Sequence, residues 1–166
     1  NLFAEMKERY GVAEERPILG MHAGGAGLFV ATHGGSTFGC SLADGRILWH
    51  NAVIPHGHPT VHEGMVVFWE FGRMLALDER TGRVRYDVSY PGDFKLDAPA
   101  GSGPISGDHI VYGTNAGLLA VCNWRNGRLV SFYRHKEGLS RAVIADGRIF
   151  VTSYDGNMLI FEGLPT

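Results

Sequence analysis

The 166-residue sequence predicts an all-β fold with a short N-terminal helix, and two observations carry this prediction. Glycine is abundant, at 24 residues, and Asp-Gly, Thr-Gly and Asn-Gly pairs recur between short apolar runs, a pattern typical of β-hairpins. One short unit is also repeated about four times along the chain. Apolar residues make up 45% of the sequence, which is enough to bury a core of ordinary size.

Four aligned runs mark the repeat. They are GLFVATH (27–33), GMVVFWE (64–70), HIVYGTN (109–115) and GRIFVTS (147–153), and their starts are 37, 45 and 38 residues apart. Each run is followed by a turn that contains glycine and then by a second apolar strand. A third element follows in the first three units, beginning at 44, 81 and 126, and is missing from the fourth. A short strand also precedes each run, so a complete unit has four strands.

A single sheet of this kind cannot bury both of its faces. Side-by-side packing of the units around an axis buries them, which is the arrangement of a β-propeller. We therefore predict a propeller of about four four-stranded blades, at approximately 17–51, 59–88, 103–134 and 140–162 of a domain that spans 17–166. Because the fourth unit lacks its outer strand, two alternatives stay open. The chain is half of an eight-bladed ring, completed by a second copy or by the rest of a longer protein, or it is a four-bladed ring with an incomplete seam.

The N-terminal segment, residues 1–16, is predicted to be helical. Residues 4–9, AEMKER, are good helix formers, and Gly11 is a suitable helix end. Leu2, Phe3, Met6 and Tyr10 share one apolar stripe. This stripe is interpreted as a packing face, with partner docking as the alternative.

Residues 74–86, MLALDERTGRVRY, and residues 45–49, GRILW, resemble the pyrroloquinoline-quinone (PQQ)-type propeller repeat. In that family each blade ends with a docking motif, Ala-x-Asp-x-x-x-Gly-x-x-x-Trp. The matching residues are Ala76, Asp78, Gly82 and Tyr86 in the second blade and Gly45 and Trp49 in the first. The third blade keeps Gly127 and offers Phe132 as its aromatic residue, after an apparent one-residue insertion around Trp124. The resemblance covers nearly residues 18–162, and it implies a fold that enzymes and non-enzymatic scaffolds share.

Quinone-dependent dehydrogenases of this family have eight blades, a calcium site and an adjacent pair of cysteines. This chain has half as many blades, and its only cysteines, Cys40 and Cys122, are far apart in sequence. We therefore expect free buried thiols and no cofactor. PQQ and a divalent metal ion remain alternatives, as in a fragment or subunit of a quinone- or metal-dependent oxidoreductase. The sequence contains neither a nucleophile elbow nor a phosphate-binding loop. A non-enzymatic function is therefore favoured, although enzymatic activity is left open.

One position of the repeat deviates sharply between blades. The sixth residue of the aligned run is Thr32, Thr114 or Thr152 in three units and Trp69 in the second. The long connection 88–103 lies on the same end face of a propeller as this position. We predict that an end-face patch binds a protein partner or ligand, and its residues are Trp69, Glu70, Tyr90, Phe94, Lys95 and His33. The alternative is that Trp69 only packs against the adjacent loop.

The segment HGHPTVH (56–62) is the one cluster of histidines. His56 and His58 are candidate metal ligands, with a solvated surface loop as the alternative interpretation.

Charge and apolarity limit the partners of the chain. The formal charge is −2 with both signs interspersed, which argues against nucleic-acid binding, and no apolar stretch reaches the ~20 residues of a membrane span. The expected partner is a protein or a second copy of the chain. The family resemblance implies a periplasmic or extracellular location.

Overall fold

The computed structural model describes residues 7–11, 18–25, 28–33, 36–52, 58–94 and 98–164. Strands in this part of the chain form four sheets, each with its strands in chain order, as expected for propeller blades. Sheet 1 contains β1 (Ile18–Ala23), β2 (Leu28–His33), β3 (Ser36–Ser41) and β4 (Ile47–Asn51). Sheet 2 contains β5 (Thr60–His62), β6 (Met65–Glu70), β7 (Arg73–Asp78) and β8 (Val84–Ser89).

The other two sheets come from the second half of the chain. Sheet 3 contains β9 (Ile105–Ser106), β10 (His109–Gly113), β11 (Leu118–Asn123) and β12 (Leu129–Arg134). Sheet 4 has three strands among the described residues: β13 (Val143–Ala145), β14 (Arg148–Thr152) and β15 (Met158–Glu162). The fourth repeat thus lacks an outer strand in the described part of the chain, as its sequence predicted.

Helical structure is limited to two short segments in the described ranges. Residues 7–10 are helical, and the N–H of Gly11 donates to the carbonyl of Lys7 at 3.0 Å. The rest of the predicted N-terminal helix lies outside the described residues. A single 3-10 turn, Gly92–Phe94, lies in the long connection after β8.

The chain divides into two compact units. One comprises Asn1–Phe68 and Ala76–Arg85, and the other comprises Trp69–Leu75 and Tyr86–Thr166. The first unit contains sheet 1, and the second contains sheets 3 and 4.

The third strand of each four-stranded sheet is buried on both faces. The central residues of β3 (STFGCS), β7 (RMLALD) and β11 (LLAVCN) are all inaccessible. These strands therefore read as almost continuous apolar runs rather than as alternating patterns. The equivalent strand of sheet 4, β15 (MLIFE), instead alternates between exposed and half-buried residues.

Sheets 3 and 4 share one apolar core within the second unit. Val111, Leu119 and Val121 of sheet 3 cluster with Ile149 and Val151 of sheet 4. These side chains are between 0% and 7% exposed. One face of sheet 4 is therefore covered by sheet 3, in the face-to-face packing that neighbouring blades require.

Candidate functional site

Three of the predicted end-face residues, Trp69, Tyr90 and Phe94, meet in the interior of the second unit. Trp69 stacks on Tyr90 with ring centroids 5.1 Å apart, and the Trp69 and Phe94 rings lie edge to face at 6.5 Å. Their exposed fractions are 0% for Trp69, 7% for Tyr90 and 6% for Phe94. The prediction that Tyr90 and Phe94 are accessible is wrong, because the connection after β8 folds back onto Trp69. This arrangement matches the alternative in which Trp69 packs against the adjacent loop.

Hydrogen bonds hold this loop in place. The N–H of Tyr90 donates to the carbonyl of Gly72 at 2.8 Å, and its hydroxyl donates to the carbonyl of Gly127 at 2.5 Å. Burial raises the pKa of Tyr90 well above its usual range. Tyr90 is therefore a neutral, hydrogen-bonded core residue. The role of this cluster in partner binding stays a prediction, and the three rings offer no exposed surface for it.

The structure describes two of the three remaining residues of the predicted patch, Glu70 and His33. Glu70 is 9% exposed, and its carboxylate lies 3.9 Å from the guanidinium of Arg73. Arg73 also donates two hydrogen bonds to Asp87, both at 2.6 Å, which lower the pKa of that carboxyl. His33 is the last residue of β2 and pairs with Ser36, and Lys95 lies outside the described residues.

The structure does not bring the candidate metal ligand His58 together with a set of further ligands in the described part of the chain. His58 is exposed just before β5, and His56 lies outside the described residues. Among the described residues, no group of three or more His, Cys, Asp or Glu is arranged to hold a metal ion. Cys40 and Cys122 are buried in β3 and β11 without a disulfide bond, and they are not the adjacent pair of cysteines found in the dehydrogenases.

The turn after the third strand is built identically in sheets 1 to 3. The N–H groups of Gly45, Gly82 and Gly127 donate to the carbonyls of Ser41, Asp78 and Asn123, each at 2.8 Å. The three glycines have φ values of 74°, 67° and 74°, in the left-handed region that disfavours a side chain. These matching turns align the three repeats residue by residue.

A docking aromatic residue stands four positions after the turn glycine. Trp49 lies against Gly82 of the next sheet, where an added Cβ would be 2.4 Å from the indole Cε3. Its indole N–H donates to the carbonyl of Glu79 at 2.8 Å. Tyr86 repeats this at Gly127, where an added Cβ would be 2.9 Å from Cε2.

The polar end of each docking ring is bonded in the same way. The Tyr86 hydroxyl donates to the carbonyl of Trp124 at 2.7 Å, as the Trp49 indole does to Glu79. Glu79 and Trp124 each directly follow the third strand of their sheets, so the two acceptors occupy equivalent positions.

Asp78 and Ala76 support the second turn. One carboxylate oxygen of Asp78 accepts the backbone N–H groups of Arg80 and Thr81 at 3.1 and 2.9 Å. The other accepts a hydrogen bond from Arg85 at 2.5 Å. Ala76 is completely buried in β7. The docking motif is thus an arrangement that joins and stabilises sheets.

Phe132 is not the docking residue of the third repeat. Four residues after Gly127 comes Ser131, and its pairing with Val121 matches the pairing of Trp49 with Gly39 in sheet 1. Phe132 therefore points to the opposite face, where its ring centroid is 5.3 Å from that of Phe94. The third repeat contains no insertion around Trp124, because Gly127 follows Gly117 at the same spacing as Gly82 follows Gly72, and the turn from Asn123 to Gly127 is the same as in the other sheets.

A cavity opens where Ser131 replaces a large ring. Its volume is about 270 Å³, and it lies between β12 and the end of β15. Its apolar walls are Leu119, Val121 and Tyr133 from sheet 3 and Ile149, Phe161 and Leu164 from the side of sheet 4. The spacing of four residues between the turn glycine and the docking ring predicts Ser131 at this position, and the assumed insertion around Trp124 concealed it.

The other face of sheet 4 is apolar and exposed. Val143 pairs with Phe150, and Phe150 pairs with Ile160, so the three side chains form a row across the sheet. Val143 is 57% and Ile160 is 55% exposed, and Met158 on the same strand is 64% exposed. We call these four residues the outer face of sheet 4. Sequence reasoning missed it because the same alternation is expected of any two-faced strand.

Sheets in chain order, docked by a ring against a turn glycine, define a β-propeller of the PQQ-repeat class. The chain belongs to the family described as "Outer membrane protein assembly factor BamB", which matches residues 9–165. No helix in the described ranges is long and apolar enough to cross a membrane.

Solved structures share this fold. BamB from Moraxella catarrhalis superposes with a TM-score of 0.72 at 20% identity, over 89% of this chain and 44% of BamB. The computationally designed Ika4 protein superposes with a TM-score of 0.71 at 15% identity, over 90% of this chain and 93% of Ika4. The chain therefore spans less than half of BamB and nearly all of the designed protein.

A curated relative is similar over part of the chain. The serine/threonine-protein kinase AfsK of Streptomyces griseus is 30% identical over 103 residues, which are 57% of this chain and 12% of the kinase. The chain thus corresponds to a small part of that protein.

Proposed function

We propose that this chain is a non-enzymatic protein-interaction module, and that the outer face of sheet 4 docks a second copy of the chain. The observation that carries the proposal is the exposure of Val143, Met158 and Ile160 on one sheet face, at 57%, 64% and 55%. Contiguous apolar surface of this kind marks interaction sites on soluble proteins.

The repeat supplies an internal comparison. In sheets 1 to 3 the third strand is buried along its centre, whereas in β15 every second residue is exposed. Sheet 4 has the sequence pattern of its counterparts but is covered on one face only. A further sheet laid on the outer face would give β15 the environment that β11 already has.

The packing of sheet 3 on sheet 4 shows which side chains a sheet that covers the outer face should carry. Their shared core consists of aliphatic side chains from two sheets of the same repeat. Another copy of this chain offers sheets of this composition, so self-association supplies a matching surface without a different protein. The family description supports an interaction role, since an assembly factor for outer-membrane proteins works with other proteins. It also supports the periplasmic location that we propose.

Sedimentation measurements on the full chain test the proposal. We expect the parent to have twice the mass of one chain, and Ile160→Arg to sediment as a monomer because a guanidinium would be buried without a partner. Val84→Arg is the matched control, since Val84 is 48% exposed on β8, and it should remain dimeric. A parent that is monomeric at every concentration, or an Ile160→Arg variant that stays dimeric, contradicts docking by a second copy.

A further inference from the structure

We propose that the cavity between β12 and β15 binds the indole or phenol ring of a tryptophan or tyrosine carried on an extended segment of another polypeptide. The inference deepens the proposed interaction function, because it names a ligand for a second surface. It does not involve the outer face of sheet 4, so the two proposals fail separately.

The nature of the ring follows from the two equivalent positions. At the junction of sheets 1 and 2 the space is filled by Trp49, and at the next junction it is filled by Tyr86. At the junction of sheets 3 and 4 the same position is Ser131, and a cavity of about 270 Å³ takes the place of the ring. The fold itself therefore indicates an aromatic occupant.

The walls of the cavity suit a ring of this size. Leu119 is 2% and Val121 is 7% exposed, so the floor of the cavity belongs to the buried core. Tyr133 and Phe161 already lie edge to face there, with centroids 5.0 Å apart, and a third ring can extend this arrangement. An apolar cavity of about 150 Å³ binds benzene in another protein, so the space here is sufficient for a larger ring.

The wall also offers a polar partner for the ring. Gly163 lines the cavity and directly follows β15, as Glu79 follows β7 and Trp124 follows β11. At those two positions the backbone carbonyl accepts the hydrogen bond of the docking ring. An indole N–H or a phenol O–H therefore suits this cavity better than the ring of phenylalanine.

The edge of sheet 4 explains why the ring is expected on an extended segment. In sheets 1 and 3 a fourth strand pairs antiparallel with the third, and β15 has no such partner among the described residues. The cavity lies beside that edge, because Phe161 and Glu162 at the end of β15 line it. A segment that pairs with β15 would point alternate side chains toward sheet 3, in the mode of strand addition.

The test uses a fluorescently labelled peptide with the sequence of residues 44–51, DGRILWHN, the outer strand that carries Trp49. We expect saturable binding to the full chain by anisotropy, and roughly tenfold or greater weakening when the tryptophan of the peptide is replaced by alanine. Ser131→Trp should abolish binding by filling the cavity from within. Leu48→Trp, an exposed position on the equivalent strand β4, is the matched control and should bind as the parent does.

Three outcomes overturn the inference: equal binding of the two peptides, unchanged binding by Ser131→Trp, or binding of N-acetyltryptophanamide as tight as that of the peptide. The last result would show that the edge of β15 contributes nothing. Methyl NMR shifts of Leu119, Val121 and Leu164 in the unmodified protein give a second readout that depends on no variant. These shifts must move with the tryptophan peptide and stay still with its alanine form.

Discussion

A methyl group added to Gly82 would lie 2.4 Å from Cε3 of Trp49, whereas one added to Gly45 would meet no described atom within 4 Å. The two glycines have nearly the same backbone conformation, with φ of 67° and 74°. One turn therefore receives a docking ring and the other does not. Comparing alanine substitutions at the two glycines separates the free-energy cost of a side chain at positive φ from the cost of displacing the indole ring.

Gly82→Ala and Gly45→Ala should thus differ in stability. Both variants lose about 1–2 kcal/mol from backbone strain, and Gly82→Ala should lose about 1–3 kcal/mol more because the indole must move. Urea unfolding curves of the two variants measure this difference. Equal losses would mean that Trp49 does not depend on close approach to Gly82.

Trp69→Ala should destabilise the protein strongly. The side chain is completely buried against Tyr90, Phe94 and Tyr112, so its removal leaves a large void and should cost about 3–5 kcal/mol. Leu42→Ala, at a position that is 54% exposed, should change the unfolding free energy by less than about 0.5 kcal/mol. An unchanged urea midpoint for Trp69→Ala would instead favour a binding role for this residue.

The Arg73–Asp87 ion pair should stabilise the fold only at pH values above the lowered pKa of Asp87. Hydrogen bonds from Arg73 hold the pKa of Asp87 below its ordinary value of 3.8, so its contribution is present above that pH and is lost as the pH falls through the lowered pKa. Asp87→Asn should cost less than about 1 kcal/mol at neutral pH, because the pair is partly exposed, and nothing in strong acid. Melting temperatures from neutral to acidic pH test this, and the effect of Asp87→Asn should vanish in an Arg73→Met background.

Neither native cysteine should react while the protein is folded. Burial raises the pKa of the Cys122 thiol to about 12, and Cys40 is completely inaccessible. Ellman's reagent at pH 8 should therefore modify both thiols only after denaturant is added. Val84→Cys places a thiol at a position that is 48% exposed and should react at once. Rapid reaction of the parent would show that one of the two sheets opens readily.

The repeat in the sequence was sufficient to predict the sheets and their missing strand. Each unit combines apolar runs with a turn glycine at constant spacing, and both signals are local, so they can be read without coordinates. The docking of Trp49 and Tyr86 was also predictable, because the distance from glycine to ring is the same in both repeats. The same spacing points to Ser131 in the third repeat, but the assumed insertion around Trp124 moved the expected ring to Phe132. The bulge between Val121 and Cys122 has a counterpart between Gly39 and Cys40, so the repeats stay in register.

The accessibility of individual rings depended on tertiary structure alone. Trp69 lies near the end of β6, and Tyr90 and Phe94 lie in the long connection after β8. Aromatic residues at such positions suit a binding surface and a folded-back core equally well. Only the three-dimensional path of the chain after β8 buries them. The apolar outer face of sheet 4 and the cavity at Ser131 have the same origin, because whether a sheet face or edge is covered depends on neighbours that are distant in sequence. The amino-acid sequence determined the repeating unit, and packing between units decided which surfaces remain for a partner.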